Sequence, residues 1–123
     1  KNPQNWDKVI AAMVKVVHGA RGTARGIGLD APYTIAGKTG TAQVFTVKQN
    51  EKYVEKNLAE RLHDHALFIA FAPADQPRIA VAVLVENGKH GATTAAPIAR
   101  RVMDEYFRIH PLPPAAAPAP PAR

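Results

Sequence analysis

The sequence predicts an α/β fold of the α+β type, in which an antiparallel three-strand meander is flanked by N- and C-terminal helices. Three observations support this. The chain of 123 residues has apolar residues at helical spacing near both of its ends. Between them lie three segments rich in β-branched, aromatic and small apolar residues. A short proline turn separates the second segment from the third, which favours antiparallel pairing.

The first helix is predicted to begin at Asn2 or Asn5, either of which can cap it, and to end at Gly19. Pro3 suits its first turn. His18 falls in the last turn, where the helix dipole favours a cation. The apolar residues at helical spacing are expected to be core: Trp6, Val9, Ile10, Met13, Val14 and Val17.

Residues 21–28 contain three glycines and two arginines. A dinucleotide-binding fingerprint would follow a strand, whereas this run follows a predicted helix. We therefore expect a connecting segment with a short strand around Thr23.

Residues 35–44 are predicted to form the first strand, continuing through Val47, and they contain the most informative residues of the chain. This strand contains two glycines, and a glycine within a strand often marks a position where a ligand or another backbone comes close. Lys38, beside Thr39 and Thr41, has the donors to bind an anion. The alternative is a bulged edge strand whose lysine prevents strand addition. A phosphate-binding P-loop is excluded, because Pro32 occupies the position of its first glycine.

The charged stretch 48–65 is predicted to contain a short amphipathic helix, with Val54, Leu58 and Leu62 on one side. His63-Asp64-His65 at its end is open to two interpretations. Two histidines on one face of a strand can bind a metal, but no third ligand is evident. The alternative is the solvated start of a strand.

Residues 66–72 are apolar on both faces and are predicted to form the central strand. A turn at 73–77 leads to the third strand at 78–86. One face of that strand carries Ile79 and three valines, and the other carries mostly alanine. We expect the alanine face to let a helix lie close.

The last helix is predicted to be capped by Thr93 or Thr94, to tolerate Pro97 in its first turn and to end at His110. Its expected buried stripe consists of Ile98, Val102, Tyr106 and Ile109, and Met103 and Phe107 are expected to widen this stripe. Its expected outward residues are Arg100, Arg101, Asp104 and Glu105. The remaining Pro/Ala-rich segment, 111–123, is expected to be an extended, mobile tail, which leaves 1–110 as the folded domain.

Composition excludes several classes of function. The net charge is +6, but the cations are scattered without interleaved aromatics, so nucleic-acid binding is not expected. The chain has no cysteine, which excludes disulfides and thiolate metal sites. It also has no serine, so an enzyme with a serine or cysteine nucleophile cannot be complete in this chain.

Lys38-Thr39-Gly40 on a strand resembles the third motif of the penicillin-binding protein and serine β-lactamase fold. The longer run Ala36-Gly37-Lys38-Thr39-Gly40-Thr41-Ala42-Gln43 resembles class B penicillin-binding proteins. So do Gly22-Thr23-Ala24, Phe71-Ala72-Pro73 and Glu86-Asn87-Gly88. The connection from Val47 to His65 is similar to that of the elongation-type group, penicillin-binding protein 2. The resemblance covers about residues 2–110.

This resemblance implies a serine-type peptidoglycan D,D-transpeptidase or carboxypeptidase that cross-links stem peptides during cell elongation and is acylated by β-lactams. It implies a periplasmic location at the inner membrane, with an N-terminal anchoring helix absent from this chain. The implied partners are a glycosyltransferase, elongation-complex proteins and the N-terminal remainder of the same protein. That remainder would carry the Ser-x-x-Lys and Ser-x-Asn type motifs, so this chain alone is expected to be inactive. No cofactor is expected.

The resemblance assigns Lys38, Thr39 and Gly40 to catalysis and Thr41, Ala42 and Gln43 to substrate binding. Lys38 would aid proton transfer near the substrate carboxylate, which the Thr39 and Thr41 hydroxyls would bind. The Thr41 N–H would supply half of an oxyanion hole. Gly40 would let substrate lie along the strand. Gln43 and the 46–65 connection are hypothesised to shape the acceptor side.

The same residues are also compatible with other functions. A non-enzymatic β-lactam sensor or a silent relative would share the same sheet. A basic domain that binds polyanions rests only on net charge. A hydrolytic β-lactamase is disfavoured, because no deacylating carboxylate can be identified.

Overall fold

Two α-helices and three strands make up the regular structure of residues 2–44 and 60–114, the part of the chain described by this computed structural model. Their order is α1 (Gln4–His18), β1 (Ala36–Ala42), β2 (His65–Ala72), β3 (Ile79–Val85) and α2 (Ala96–Ile109). The predicted fold class and order of elements are therefore confirmed. No helix within these residues is long and apolar enough to cross a membrane.

The strands form one antiparallel sheet in the order β1-β2-β3, so β1 and β3 are the edges of the described sheet. Lys38 lies opposite Ile69, and Gly40 lies opposite Leu67. Opposed residues point to the same side of a sheet and neighbours along a strand alternate. Lys38, Leu67 and Ile69 therefore share one face, and Thr39 shares the other with Phe68.

The core lies between the helices and the second of these faces, which we call the covered face. α1 packs on β1, and α2 packs on β2 and β3. Phe68 is fully buried on this face. Its largest fully buried companions, contributed by both helices and by the residue before β1, are Val17, Ile35 and Met103.

The opposite face, which we call the open face, is apolar but exposed in the described residues. Ile69 is 52% exposed and Leu84 58% exposed. Within residues 2–44 and 60–114, neither helix lies on the alanine face of β3, where one was expected, because both helices pack on the opposite face. Ile79, Val81, Val83 and Val85 instead pack against the core.

α1 begins at Gln4 with Pro3 as its cap residue, so neither Asn2 nor Asn5 is the predicted N-cap. The Asn2 side chain still accepts a hydrogen bond from the Gln4 N–H at 3.0 Å. The assignment of Trp6 and Val9 to the core is wrong, since their exposed fractions are 73% and 51%. Val17 is the buried residue of this helix. Burial increases toward the C-terminal end, because that end packs on β1 and on the turn Arg25–Ile27.

α2 turns a different face to the sheet than its large apolar residues predicted. Its buried residues are Ala96, Ala99, Met103 and Phe107. The expected core residues Ile98, Val102 and Ile109 are exposed, and Arg100, expected to face outward, is largely buried. Small alanines let the helix backbone approach the valine side chains of β3, so close packing outweighs the burial of larger residues. Neither Thr93 nor Thr94 caps α2, which is preceded by a π-helical turn, Gly91–Ala95.

The connections differ from prediction in two places. Thr23 lies in a turn followed by a 3₁₀ turn, Arg25–Ile27, so the short strand expected there is absent. β1 ends at Ala42, so Val44 does not extend it. The amphipathic helix predicted within 48–65 falls largely outside the described residues, whose next element is the 3₁₀ turn Glu60–Leu62. Most of the predicted tail, 115–123, also lies outside them.

Candidate active site on the first strand

Lys38 lies on the edge strand of the described sheet, and its ammonium is held at that edge. The side chain is exposed, and Nζ donates a hydrogen bond to the Thr39 carbonyl oxygen at 2.7 Å. Within residues 2–44 and 60–114, no Asp or Glu forms an ion pair with it. The ammonium can therefore attract an external anion at short range.

The distances around Gly91 show which way the peptide groups of β1 point. A Cβ added to Gly91 would lie 2.8 Å from the oxygen and 3.1 Å from the nitrogen of Gly40, and it would overlap the Leu67 oxygen. Because the Leu67 oxygen on β2 and both Gly40 atoms lie close to this one point, the N–H and C=O of Gly40 point toward β2. In an extended strand the backbone N–H and C=O groups of successive residues point to opposite edges of the strand. The N–H and C=O of Thr39 and Thr41 thus face the free edge, on the side of the Lys38 ammonium.

Thr39 is half-buried, and its hydroxyl contacts a second threonine from the α1–β1 connection. The Thr39 Oγ1 and Thr23 Oγ1 atoms are 3.2 Å apart, and either can be the donor. This contact restricts the rotamer of the Thr39 hydroxyl. Thr23 belongs to the Gly22-Thr23-Ala24 run that supported the family resemblance. The sequence therefore marked Thr23 as a family residue but did not indicate its contact with Thr39.

The two glycines of β1 lack a side chain for different structural reasons. A Cβ on Gly37 would lie 2.6 Å from Cζ of Phe68, so Gly37 makes room for a core aromatic ring. A Cβ on Gly40 would meet the Leu67 Cβ at 3.2 Å on the open face. Only Gly40 fits the expectation of a position kept clear beside a ligand.

The start of β1 is fixed by a histidine. Nε2 of His18, at the end of α1, accepts a hydrogen bond from the Ile35 N–H at 2.9 Å. The predicted dipole interaction therefore understates what His18 does, because its ring joins α1 to the strand that carries Lys38. Sequence spacing gave no signal for this contact across 17 residues.

The six predicted site residues are not equally placed. Lys38, Thr39, Gly40, Thr41 and Ala42 all belong to β1, with Thr41 exposed and Ala42 opposite His65 at the strand end. Gln43 follows the strand and is exposed. The structure thus brings the first five together on one edge strand and leaves Gln43 just beyond it.

His63, Asp64 and His65 join β2 to the end of β3. The Asn87 side-chain amide donates to the His63 carbonyl oxygen, and the Asn87 N–H donates to Nδ1 of His65, each at 2.9 Å. Asp64 is buried. Within the described ranges, no group of three or more His, Cys, Asp or Glu is arranged to hold a metal. These contacts fit neither a metal site nor a solvated strand start.

A charged network anchors the segment that leads into β1. Arg100 on α2 donates to Asp104 at 2.8 Å and to Asp30 at 3.0 Å. The Tyr33 hydroxyl donates to the same Asp104 oxygen at 2.6 Å. Burial and then the Asp104 hydrogen bond raise the pKa of Tyr33, and the Arg100 guanidinium lowers the pKa of Asp30. Sequence reasoning missed this network, although Arg100 and Asp104 have the spacing of a helical ion pair.

Comparison with known proteins agrees with this geometry. The profile of one family, the penicillin binding protein transpeptidase domain, matches residues 2–104. The chain belongs to this family. The match includes all of β1 and the elements that support it, so the family predicted from Lys38-Thr39-Gly40 is confirmed.

Individual relatives include MrdA and PBP2 proteins. The peptidoglycan D,D-transpeptidase MrdA of Haemophilus influenzae is 50% identical over 102 residues, which are 83% of this chain. The structure of Pseudomonas aeruginosa PBP2 in complex with WCK 5153 is 50% identical, with a TM-score of 0.71 over 87% of this chain and 20% of that one. Helicobacter pylori PBP2 in its complex with MreC is 25% identical, with a TM-score of 0.74 over 91% of this chain and 19% of that one.

The chain spans only a small part of these proteins. Its aligned segment amounts to 16% of the length of the Haemophilus influenzae MrdA protein. The activity, substrates and partners of a whole transpeptidase are therefore matters of proposal for this chain.

Proposed function

We propose that this chain forms the C-terminal part of the catalytic domain of a serine-type peptidoglycan D,D-transpeptidase that acts in cell elongation. The observation that supports this most is the arrangement at the free edge of β1. The Lys38 ammonium and the outward N–H of Thr41 lie on the same edge of β1, the edge away from β2, which has no partner strand within the described residues. A cation beside an outward backbone donor suits a reaction in which an anionic peptide develops an oxyanion.

In this proposal the substrate peptide adds to β1 as a further strand. The outward N–H and C=O groups of Thr39 and Thr41 supply the backbone hydrogen bonds of such an addition. Gly40 keeps the open face clear beside the strand. The Thr39 and Thr41 hydroxyls bind the terminal carboxylate of the D-Ala–D-Ala unit, and the Thr23 hydroxyl at 3.2 Å orients Thr39. Gln43, just past the strand, is left to contact the acceptor side.

The chemistry begins with a serine supplied from outside residues 1–123, since this chain has none. Its hydroxyl oxygen attacks the carbonyl carbon between the two D-alanines. The Thr41 N–H then stabilises the oxyanion of the tetrahedral intermediate, together with the N–H of the nucleophilic residue. The intermediate expels D-alanine, whose amine takes up the proton that the serine hydroxyl has lost, and leaves an acyl-enzyme. The Lys38 ammonium stabilises the negative charge and assists these proton transfers.

An amine of a neighbouring stem peptide resolves the acyl-enzyme in transpeptidation, and water resolves it in carboxypeptidation. β-Lactams acylate the same serine, because their ring carbonyl and carboxylate meet the same donors. We place the protein at the periplasmic side of the inner membrane, held by an N-terminal helix outside this chain. Since the Helicobacter pylori relative forms a complex with MreC, we extend the proposal to elongation-complex partners and a glycosyltransferase.

The experiment replaces Lys38 in the intact protein and measures acylation by a fluorescent penicillin. Lys38→Ala is expected to slow acylation about 100-fold or more, the range seen when a proton-transfer group is lost. Lys8→Ala, an exposed lysine on α1, is the matched control and should acylate at the normal rate. Unchanged acylation in a folded Lys38→Ala protein would refute the assignment of this edge as the active site.

A non-enzymatic β-lactam sensor is the alternative, since it would share the sheet and the acylation step. Turnover separates the two. The transpeptidase releases D-alanine repeatedly from a D-Ala–D-Ala peptide, whereas a sensor stops after one equivalent of acylation.

A further inference from the structure

Gly91, far from the motif in sequence, lies against the backbone of Gly40. It is the first residue of the π-helical turn Gly91–Ala95 and is buried. Its missing side chain would collide with the oxygen of Leu67 and approach the oxygen and nitrogen of Gly40. This places the turn directly against the backbone of β1 and β2 where they pair at Gly40 and Leu67.

The Gly40 oxygen belongs to the same peptide unit as the Thr41 N–H. The unit is planar, so its C=O and N–H move together and point in opposite directions. Contact of Gly91 with the oxygen side therefore sets the position of the N–H on the free edge. We propose that Gly91 is a positioning residue that holds the Thr41 N–H in place for the oxyanion. This rests on the proposed function.

The segment around Gly91 is itself well anchored, as a positioning element must be. The Thr94 hydroxyl donates to the Gly88 oxygen at 2.7 Å, and the Lys89 N–H donates to the Asp64 oxygen at 2.9 Å. The Asn87 side chain donates to the His63 oxygen at 2.9 Å. The turn is thus tied to the start of β2 on one side and leads into α2 on the other.

A displaced oxyanion donor has a specific kinetic consequence. The oxyanion exists only in the transition state and the intermediate, so losing its donor slows the chemical step and leaves ground-state binding nearly intact. Complete loss of one donor costs roughly 100- to 1,000-fold in rate. A partial displacement by one methyl group is expected to cost about tenfold or more.

The test is a set of variants of the intact protein, in which the saturating acylation rate and the pre-acylation binding constant for a penicillin are measured separately. Gly91→Ala should lower the saturating rate about tenfold or more and change the binding constant less than about twofold. Gly26→Ala is the inert control, because its Cβ would meet nothing within 4 Å. Met103→Ala controls for lost stability, since Met103 is fully buried on α2 and its truncation leaves a cavity in the core without touching the contacts that anchor the turn.

Two results would overturn the proposal: a folded Gly91→Ala protein with the normal saturating rate, or an equal rate loss in Met103→Ala at equal loss of melting temperature. If Lys38→Ala is also unimpaired, the proposed function itself fails. If Lys38→Ala is slow while Gly91→Ala is normal, only the role of Gly91 fails.

A second pair of variants decides the matter if Gly91→Ala does not fold. Thr94→Val keeps the shape of the side chain but removes its hydrogen bond to Gly88, which loosens the turn without a collision. It should lower the saturating rate several-fold, and Thr94→Ser, which retains the hydroxyl, should restore it. Equal rates in the two variants would reject Gly91 as a positioning residue.

Discussion

The covered face of the sheet and the free edge of β1 are adjacent, since Gly37 and Lys38 are consecutive residues. They nevertheless differ in what their residues do. On the covered face, Phe68 is fully buried and its ring occupies the space that a side chain on Gly37 would need. At the edge, Lys38 and Thr41 are exposed, with donors pointing outward. Residues that hold the fold together are thus separable from residues placed for chemistry, and substitutions should affect one property or the other.

The largest expected effect is on the covered face, where Phe68→Ala should reduce the free energy of unfolding by about 3–5 kcal/mol. The cause is the loss of a buried ring and the cavity left over Gly37. Urea denaturation of the intact protein measures this, with Trp6→Ala, a 73% exposed aromatic, as the comparison. Below the transition, the folded fraction should still be acylated at close to the normal rate. A selective loss of rate would mean that face and edge are not separable.

His18 joins the two regions, so its replacement should affect both moderately. His18→Leu leaves the Ile35 N–H without its acceptor, which should cost about 1–3 kcal/mol. Because the start of β1 is released, a modest fall in the acylation rate is expected as well. His18→Gln offers a side-chain oxygen in place of Nε2 and should recover part of both losses. Loss of stability with a wholly unchanged rate would show that the start of β1 is held by other contacts.

The smallest effect is expected at Tyr33, which serves the fold alone. Tyr33→Phe removes the hydrogen bond to Asp104 and should cost about 1 kcal/mol. The pKa of Tyr33 is raised in the folded state, so its contribution is full below pH 10.0, the ordinary pKa, and is lost as pH rises toward the folded value. The difference in urea midpoint between wild type and Tyr33→Phe should therefore shrink above pH 10. A difference that stays constant into alkali would contradict this account.

The contrast between β1 and α2 shows which features the sequence could predict. In β1, Lys38 lies between two glycines and is followed by two threonines, and from this composition both the strand and the family were predicted. In α2 two apolar stripes compete, one of isoleucine and valine and one of alanine, methionine and phenylalanine. Periodicity predicts a helix from either stripe, and only the shape of the opposing valine side chains on β3 selects the second.

Long-range contacts account for what else was missed. The contact of Gly91 with Gly40 joins residues 51 positions apart, and Arg100 reaches Asp30 across 70 positions. A glycine after a loop and an arginine on a helix are ordinary by themselves. Their roles arise only when the chain has folded back on itself, which no local pattern encodes.

The measurement that tests the central claim most directly is peptide mapping of the intact protein after reaction with a penicillin. This chain is proposed to be one wall of an active site whose nucleophile lies elsewhere. The adduct should therefore be found on a serine outside residues 1–123, and Lys38→Ala should lose it at the same exposure time. A stable penicillin adduct on a residue of the serine-free chain itself would contradict the account.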